Sequence, residues 1–218
     1  MNEASQISKR SKEQILRRLQ NAYQKPDFVK IPSSDPVGHI KCTQDSLLEM
    51  KKKMSDNKYI VEESTQEELE NKINEIMNLY DYKSLIYPSN IEIDIEKINA
   101  KSKVCFNEEI ENLRKEVFHS DFSIIHARAG ISSHGVALVL SSSKQPRMLS
   151  LAPKLCIMLL KKENIVHSLS EALALVKKEN ETLPSNILFI AGPSRTADIE
   201  LITVFGVHGP QKVHIIVY

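Results

Sequence analysis

The sequence predicts an α/β fold, a layered sheet with helices on both faces and an N-terminal helical arm. Three observations predict it. Helix starts are marked by the pairs Ser46 with Glu49, Thr65 with Glu68 and Ser168 with Glu171, at the spacing of a capping box, where hydroxyl and carboxylate each satisfy an orphan helix N–H. From about residue 100, short β-branched apolar runs of strand length recur. The two kinds of segment alternate along the chain, the order that builds one sheet with helices packed on it.

The elements follow in order. Ile7, Ile15, Leu16, Leu19 and Tyr23 stand close to helical spacing and Pro26 ends the pattern, so residues 8–23 should form an amphipathic helix. Pro26, Pro32, Ser33, Ser34, Pro36 and Gly38 then crowd a linker. Residues 1–40 are therefore expected to be a helix and linker, and 41–218 an α/β domain. Helices starting at Ser46 and Thr65 enclose a short strand at 58–61, and 84–87 is a second strand, stopped by Pro88. Strands follow at 103–106, 122–127, Val136–Leu140 and Leu155–Leu160. The helix from Ser168 carries an apolar stripe of Leu169, Leu173 and Val176 and is closed by Pro184. The end reads as strand Ile187–Ile190, a short helix at 197–205 and a strand at 213–217.

Composition narrows the function. Hydrophobic residues at 41% and charged residues at 26% are those of a chain that folds throughout. Lys plus Arg, 29, nearly cancels Asp plus Glu, 28, leaving no whole-molecule field for nucleic acid, and no nucleic-acid partner is expected. Within residues 1–30, Lys9, Arg10, Lys12, Arg17, Arg18, Lys25 and Lys30 outweigh Glu3, Glu13 and Asp27. That excess is either a partner-facing arm or a solvated helix face. The start lacks an apolar h-region and the longest strongly apolar run, Leu155–Leu160, is too short to cross a bilayer, so a cytoplasmic protein without a membrane span is expected. Cys42, Cys105 and Cys156 lie far apart, without the paired spacings that bind zinc or iron–sulfur clusters. Cys105 and Cys156, each among apolar residues, are expected to be reduced core thiols.

Three of the six glycines, Gly192, Gly206 and Gly209, fall in one unit near the end. Glycine is used where the backbone must turn at positive φ or approach something closely. Gly192 follows the strand Ile187–Ile190, and in open α/β sheets ligands sit at the carboxyl ends of strands. Ser194 and Thr196 offer hydroxyls, Arg195 a planar cation, and the expected helix an N-terminus, a set suited to a phosphate or carboxylate. Asp198 and Glu200 in the first turn would oppose a second negative charge. In the alternative arrangement Thr196 caps that helix and Arg195 pairs with Asp198 or Glu200. His208, in the turn Gly206-Val207-His208-Gly209-Pro210, is the candidate proton carrier, or else a turn histidine bonded to backbone. His126 and His134 frame Gly130 and Gly135, but with Cys156 and His208 they form no metal-ligand spacing, and no metal site is expected.

The segment Gly192-Pro193-Ser194-Arg195-Thr196-Ala197-Asp198-Ile199-Glu200, followed by Gly206-Val207-His208-Gly209-Pro210 before a terminal strand, resembles the signature of the LUD-domain family, the lactate-utilization protein C group. Upstream, Ile131, Gly135 and the strand to Leu140 resemble the family's isoleucine–alanine–glutamate–threonine–glycine segment, and residues 149–153 its next apolar–proline segment. Ser132, Ser133 and His134 stand where alanine, glutamate and threonine are usual, so a role of that glutamate does not carry over. The resemblance implies a fold similar to the NagB, ribose-phosphate isomerase and CoA-transferase group. It also implies a part in oxidising L-lactate to pyruvate beside two iron–sulfur partner proteins. With no cluster cysteines and no clear dinucleotide fingerprint, the chain is expected to hold no cofactor and to serve as an accessory subunit, its site formed by Gly192, Ser194, Arg195, Thr196, Asp198, Gly206, His208 and Gly209. The alternatives are a free-standing enzyme acting on a small anionic metabolite, a sugar phosphate or CoA ester, and an interaction module working through the basic arm.

Overall fold

A computed structural model of the protein describes residues 3–23, 45–197 and 203–218. The chain divides into two units, 1–35 and 36–218. The first contains α1, Glu3–Tyr23, which begins earlier than the periodicity predicts; its Ile15, Leu16 and Leu19 are exposed.

The second unit runs α2 (Ser46–Asp56), β1 (Ile60–Glu63), α3 (Leu69–Leu79), β2 (Ser84–Pro88), β3 (Ser102–Phe106), α4 (Ile110–His119), β4 (Phe122–His126), β5 (Ala129–Ile131), β6 (Val136–Leu140) and α5 (Met148–Leu151). It continues β7 (Leu155–Leu160), β8 (Ile165–Val166), α6 (Leu169–Glu179), β9 (Ile187–Ile190), β10 (Arg195–Ala197), β11 (Thr203–Phe205) and β12 (Lys212–Val217). The caps explain the helix starts. Ser168 Oγ accepts from Glu171 N at 3.1 Å, and the Glu171 carboxylate reaches back to His167 N at 2.9 Å, one residue short of a full capping box. In α2 the cap is Asp45, whose carboxylate accepts from Leu48 N at 2.9 Å, one residue before the expected Ser46. Thr65 makes no side-chain cap bond, and a 3₁₀ turn, Gln66–Glu68, leads into α3.

The strands β1-β12-β7-β4-β2-β3 form a parallel sheet in that order. Its middle strand β7 is buried along its whole length, as a strand covered on both faces must be. Cys156, Met158 and Leu160 point to one face with Met50 and Met54 of α2, Val117 of α4 and Leu149 of α5. Leu155, Ile157 and Leu159 point to the other with Leu69, Ile73, Ile76 and Met77 of α3. Full burial of each such side chain contributes roughly 1.5–3 kcal/mol. A smaller mixed sheet, β8-β5-β6-β9, turns Ala137, Val139, Leu188 and Ile190 toward the first of these clusters. Its other face packs Ala129, Ile131 and Leu138 on Ala172 and Val176 of α6.

One expected element is replaced. Instead of a helix over 197–205, β10 and β11 form a two-stranded antiparallel hairpin, with Arg195 opposite Phe205, Thr196 opposite Val204 and Ala197 opposite Thr203. The β-branched and aromatic residues Thr196, Thr203, Val204 and Phe205 favour the extended form. The Gly206 N–H, donated to the Ser194 carbonyl at 3.0 Å, fixes the register just below the last pair. Asp198, with the rest of 198–202, lies outside the described residues, as do the linker prolines and Cys42.

Candidate functional site

The two glycine segments that the sequence singles out are brought together by one residue. Ser194 donates its N–H to the Pro210 carbonyl at 2.9 Å, accepts from Gly206 N at its own carbonyl, and accepts from His208 N at Oγ, 3.3 Å away. Gly192 sits at φ +86° and Gly206 at φ +81°, in the region L side chains rarely adopt. A Cβ at Gly192 would also collide with the Asn57 carbonyl at the end of α2, and one at Gly206 with the Gln211 side chain. Asn57 is itself fixed, donating to the carbonyls of His134 and Gly135 at 2.9 Å each. Tyr59 Oη donates to the Ile190 carbonyl at 2.5 Å. These glycines let the backbone cross over α2 and turn back, and so build a rigid base.

All six residues of β10 and β11 are exposed, and none of them belongs to a buried core cluster. Val204, Phe205 and Val207 are 48%, 42% and 51% exposed, apolar side chains at the base end of the hairpin, with Val204 and Phe205 on opposite faces of it. Arg195 is exposed and donates from Nη2 to the Ala191 carbonyl at 3.0 Å. His208 is exposed, held through its backbone rather than through its ring.

Both grounds for an anion site here change. The helix N-terminus is absent because residues 195–197 are strand. The crevice argument also fails, since Gly192 follows β9, a strand of the smaller mixed sheet. The turn 206–210 enters β12 at its amino end, where Gln211 N donates to the Lys154 carbonyl just before β7. The signature therefore lies at the amino-terminal edge of the parallel sheet.

The carboxyl edge lies elsewhere, and no motif or spacing in the chain marks it. β2 and β4 pair only through Leu85 with Phe122 and Ile86 with Ser123, after which β2 continues beside β3 alone. The chain leaves β2 toward β3 and leaves β4 toward β7, so a topological switch point falls between β2 and β4. A cleft of about 530 Å³ opens there, lined by Asn90 after β2, His126 at the end of β4, Lys161 after β7 and Tyr218 after β12. Burial holds the His126 imidazole below its ordinary pKa, outweighing the Glu92 carboxylate and the Asn90 backbone, so the ring is neutral near pH 7.

The segment departing from the resemblance is built into the core. Ser132 and Ser133 are buried; Ser133 accepts from Lys53 Nζ at its carbonyl, 2.9 Å, and its Oγ lies 2.7 Å from His134 Nδ1. Cys156 is fully buried, its thiol pushed up to about 12, and Cys105 is half-buried. Their strands, β7 and β3, stand three positions apart in the sheet, about 14 Å at the usual strand spacing, too far to share a disulfide or a cluster iron.

A sequence model described as the LUD domain matches residues 47–218. The chain belongs to the LUD domain family. Its alignment with "Uncharacterized protein YkgG" of Escherichia coli is 41% identical over 92 residues, 41% of this chain and 40% of that protein. With "Lactate utilization protein C" of Halalkalibacterium halodurans it is 36% identical over 110 residues, 49% of this chain and 48% of that protein. The matched region thus spans about half or less of the length of these LUD-family relatives. A crystal structure of a DUF162 family protein from Deinococcus radiodurans superposes with a TM-score of 0.56 at 19% identity, covering 79% of this chain and 95% of that one, which shows a shared fold. No helix among the described residues is long and apolar enough to cross a membrane.

Proposed function

We propose that this LUD-domain protein is a lactate utilization protein C-like subunit, cytoplasmic, that takes part in oxidising L-lactate to pyruvate by docking two iron–sulfur partner proteins. The observation that carries the proposal is the hairpin Arg195–Ala197 with Thr203–Phe205, held at its base by Ser194 and exposed on both faces. An isolated two-stranded hairpin is marginal in water, and a group of exposed Val and Phe side chains marks a surface that a partner covers. The signature glycines serve that presentation, and Arg195, Thr196 and His208 form its polar rim. The electrons pass through the partners. Cys105 and Cys156 stand apart in the sheet core and supply no ligand set for a cluster.

Co-purification tests this. Tagged chain should bring down two cysteine-rich proteins from the cell, and lactate oxidation should require all three. Recovery of the chain alone, with lactate oxidised in its absence, would overturn the reading.

A further inference from the structure

The smaller sheet ends on an open strand. β9, Ile187–Ile190, is an edge of the order β8-β5-β6-β9, and its register against β6 fixes which of its backbone groups are used. Ser141 N donates to the Asn186 carbonyl at 3.1 Å, so Ser141 and Asn186, one step beyond the pair Leu140 with Ile187, are a hydrogen-bonded pair. Such pairs alternate along an antiparallel ladder. Leu188 therefore bonds to Val139, whereas the N–H and C=O of Ile187 and Phe189 point outward from the sheet. Among the described residues no loop or side-chain group bonds to them. Sheet edges are normally guarded by charge, by proline or by brevity. β1 carries Glu62 and Glu63, β3 carries Lys103, and β8 is two residues long. β9 has none of these guards: it reads Ile-Leu-Phe-Ile, and Phe189 is 37% exposed.

The open groups are self-complementary. A two-fold axis through Leu188 sets Ile187 opposite Phe189 of a second copy and Phe189 opposite its Ile187, so every outward group of both strands finds a partner. Within the four residues of β9 no other antiparallel register uses both positions. The same pairing lays each Phe189 against the other copy's Ile187 on the face covered by α6, an aromatic beside a β-branched side chain. The charges agree with it. The nearest ones along the chain are Glu181 before the strand and Arg195 after it, each seven residues from Leu188 and both exposed. Antiparallel pairing brings Glu181 of one copy to the same end as Arg195 of the other, so the flanks attract.

We propose that β9 pairs with β9 of a second copy of this chain across a two-fold axis at Leu188, joining the two smaller sheets into one. The dimer goes beyond the docking reading, and neither depends on the other.

Light scattering of the full chain tests it, with a dimer expected at about 100 μM protein. Phe189 belongs to none of the buried core clusters. Phe189→Lys, which charges the edge, should therefore keep a cooperative melt while weakening self-association at least about tenfold. Leu188→Cys tests the register. On the axis it meets its own copy at a Cα separation of about 4.5 Å, within disulfide reach, so mild oxidation should link the chains. Wild type under the same oxidant is the control for Cys42, Cys105 and Cys156. The proposal is overturned if wild type is monomeric at about 100 μM, if Phe189→Lys dimerises as wild type does, or if Leu188→Cys gives no more linked dimer than the control. The mass of wild type needs no variant, so a misfolded Phe189→Lys would not shelter the idea. A monomer that still brings down the iron–sulfur partners would leave the docking reading standing.

Discussion

Gln145 completes the end of β4 in place of a strand: its Oε1 accepts from His126 N at 2.9 Å and its Nε2 donates to the His126 carbonyl at 3.0 Å. β2 has already left β4 at that level, so without Gln145 both part-buried backbone groups would lose their protein partner. The side chain therefore lets the sheet open into a cleft without losing its hydrogen bonds.

Gln145→Ala should accordingly destabilise the protein by about 2–4 kcal/mol, the cost of two unsatisfied backbone groups. Urea unfolding measures it. A loss below about 0.5 kcal/mol, the size of an ordinary surface change, would show that the pairing carries no stability.

The signature glycines differ in what they tolerate. Gly192→Ala and Gly206→Ala force a side chain into positive φ and into Asn57 or Gln211, and should each cost about 1–3 kcal/mol or more. Gly209 lacks a positive φ, and a Cβ there would lie 3.1 Å from Ser194 Cβ, a contact that a small shift relieves. Gly209→Ala should stay within about 1 kcal/mol. Parallel unfolding curves with the three variants equal would contradict this.

His126 and His214 should make the protein acid-sensitive. His214 is buried with Nδ1 2.9 Å from Glu62 Oε1 and Nε2 2.9 Å from Tyr80 Oη. That pattern fits a neutral ring donating to Glu62 and accepting from Tyr80. Burial lowers the pKa of both histidines, against the pull of Glu62 on one and of Glu92 on the other. The native state then binds fewer protons than the unfolded chain below about pH 6.5. Their stabilising contribution is present above that pH and is lost as pH falls through the depressed folded values. Asp121, whose pKa is lowered by hydrogen bonds from Lys83, Ser84 and Lys154 despite the opposing effect of burial, acts only at more acid pH, below the carboxylate range. The melting temperature should fall between pH 7 and 5, and His126→Gln with His214→Gln should flatten that fall. A slope unchanged in the double variant would exclude these groups as its source.

Much of the fold was legible because burial writes itself into local pattern. β6, β7 and β9 run as continuous apolar stretches, and their ends in the structure are those the sequence predicts. α4 escaped because its ten residues are dominated by Glu, Lys, Arg and Asn, and only Val117 is buried. The sequence predicts a helix over 197–205 because Asp198 and Glu200 resemble a helix's first turn, whereas its described residues, 197 and 203–205, are strand, and the contact that fixes them, Gly206 N to Ser194 O, joins residues twelve apart. The cleft escaped for a similar reason. Asn90, His126, Lys161 and Thr182 come from four separate segments and share no spacing, and only the splaying of β2 from β4 assembles them.

Arg195→Ala now separates stability from docking. Among the described residues its guanidinium meets one backbone carbonyl, that of Ala191, so the melting temperature should stay within about 1–2 °C of wild type. Partner capture should weaken. A variant that melts clearly low would show that Arg195 is structural.

The most direct measurement is L-lactate-dependent dye reduction by the co-purified iron–sulfur partners, supplied with wild-type chain or with Phe205→Asp. Phe205 is 42% exposed and belongs to none of the buried core clusters, so the variant should melt close to wild type while placing a charge on the exposed apolar surface of the hairpin. The docking account predicts activity with wild type, none without the chain, and at least about a tenfold loss with Phe205→Asp. Full activity with Phe205→Asp, or lactate oxidation that proceeds without the chain, would contradict it.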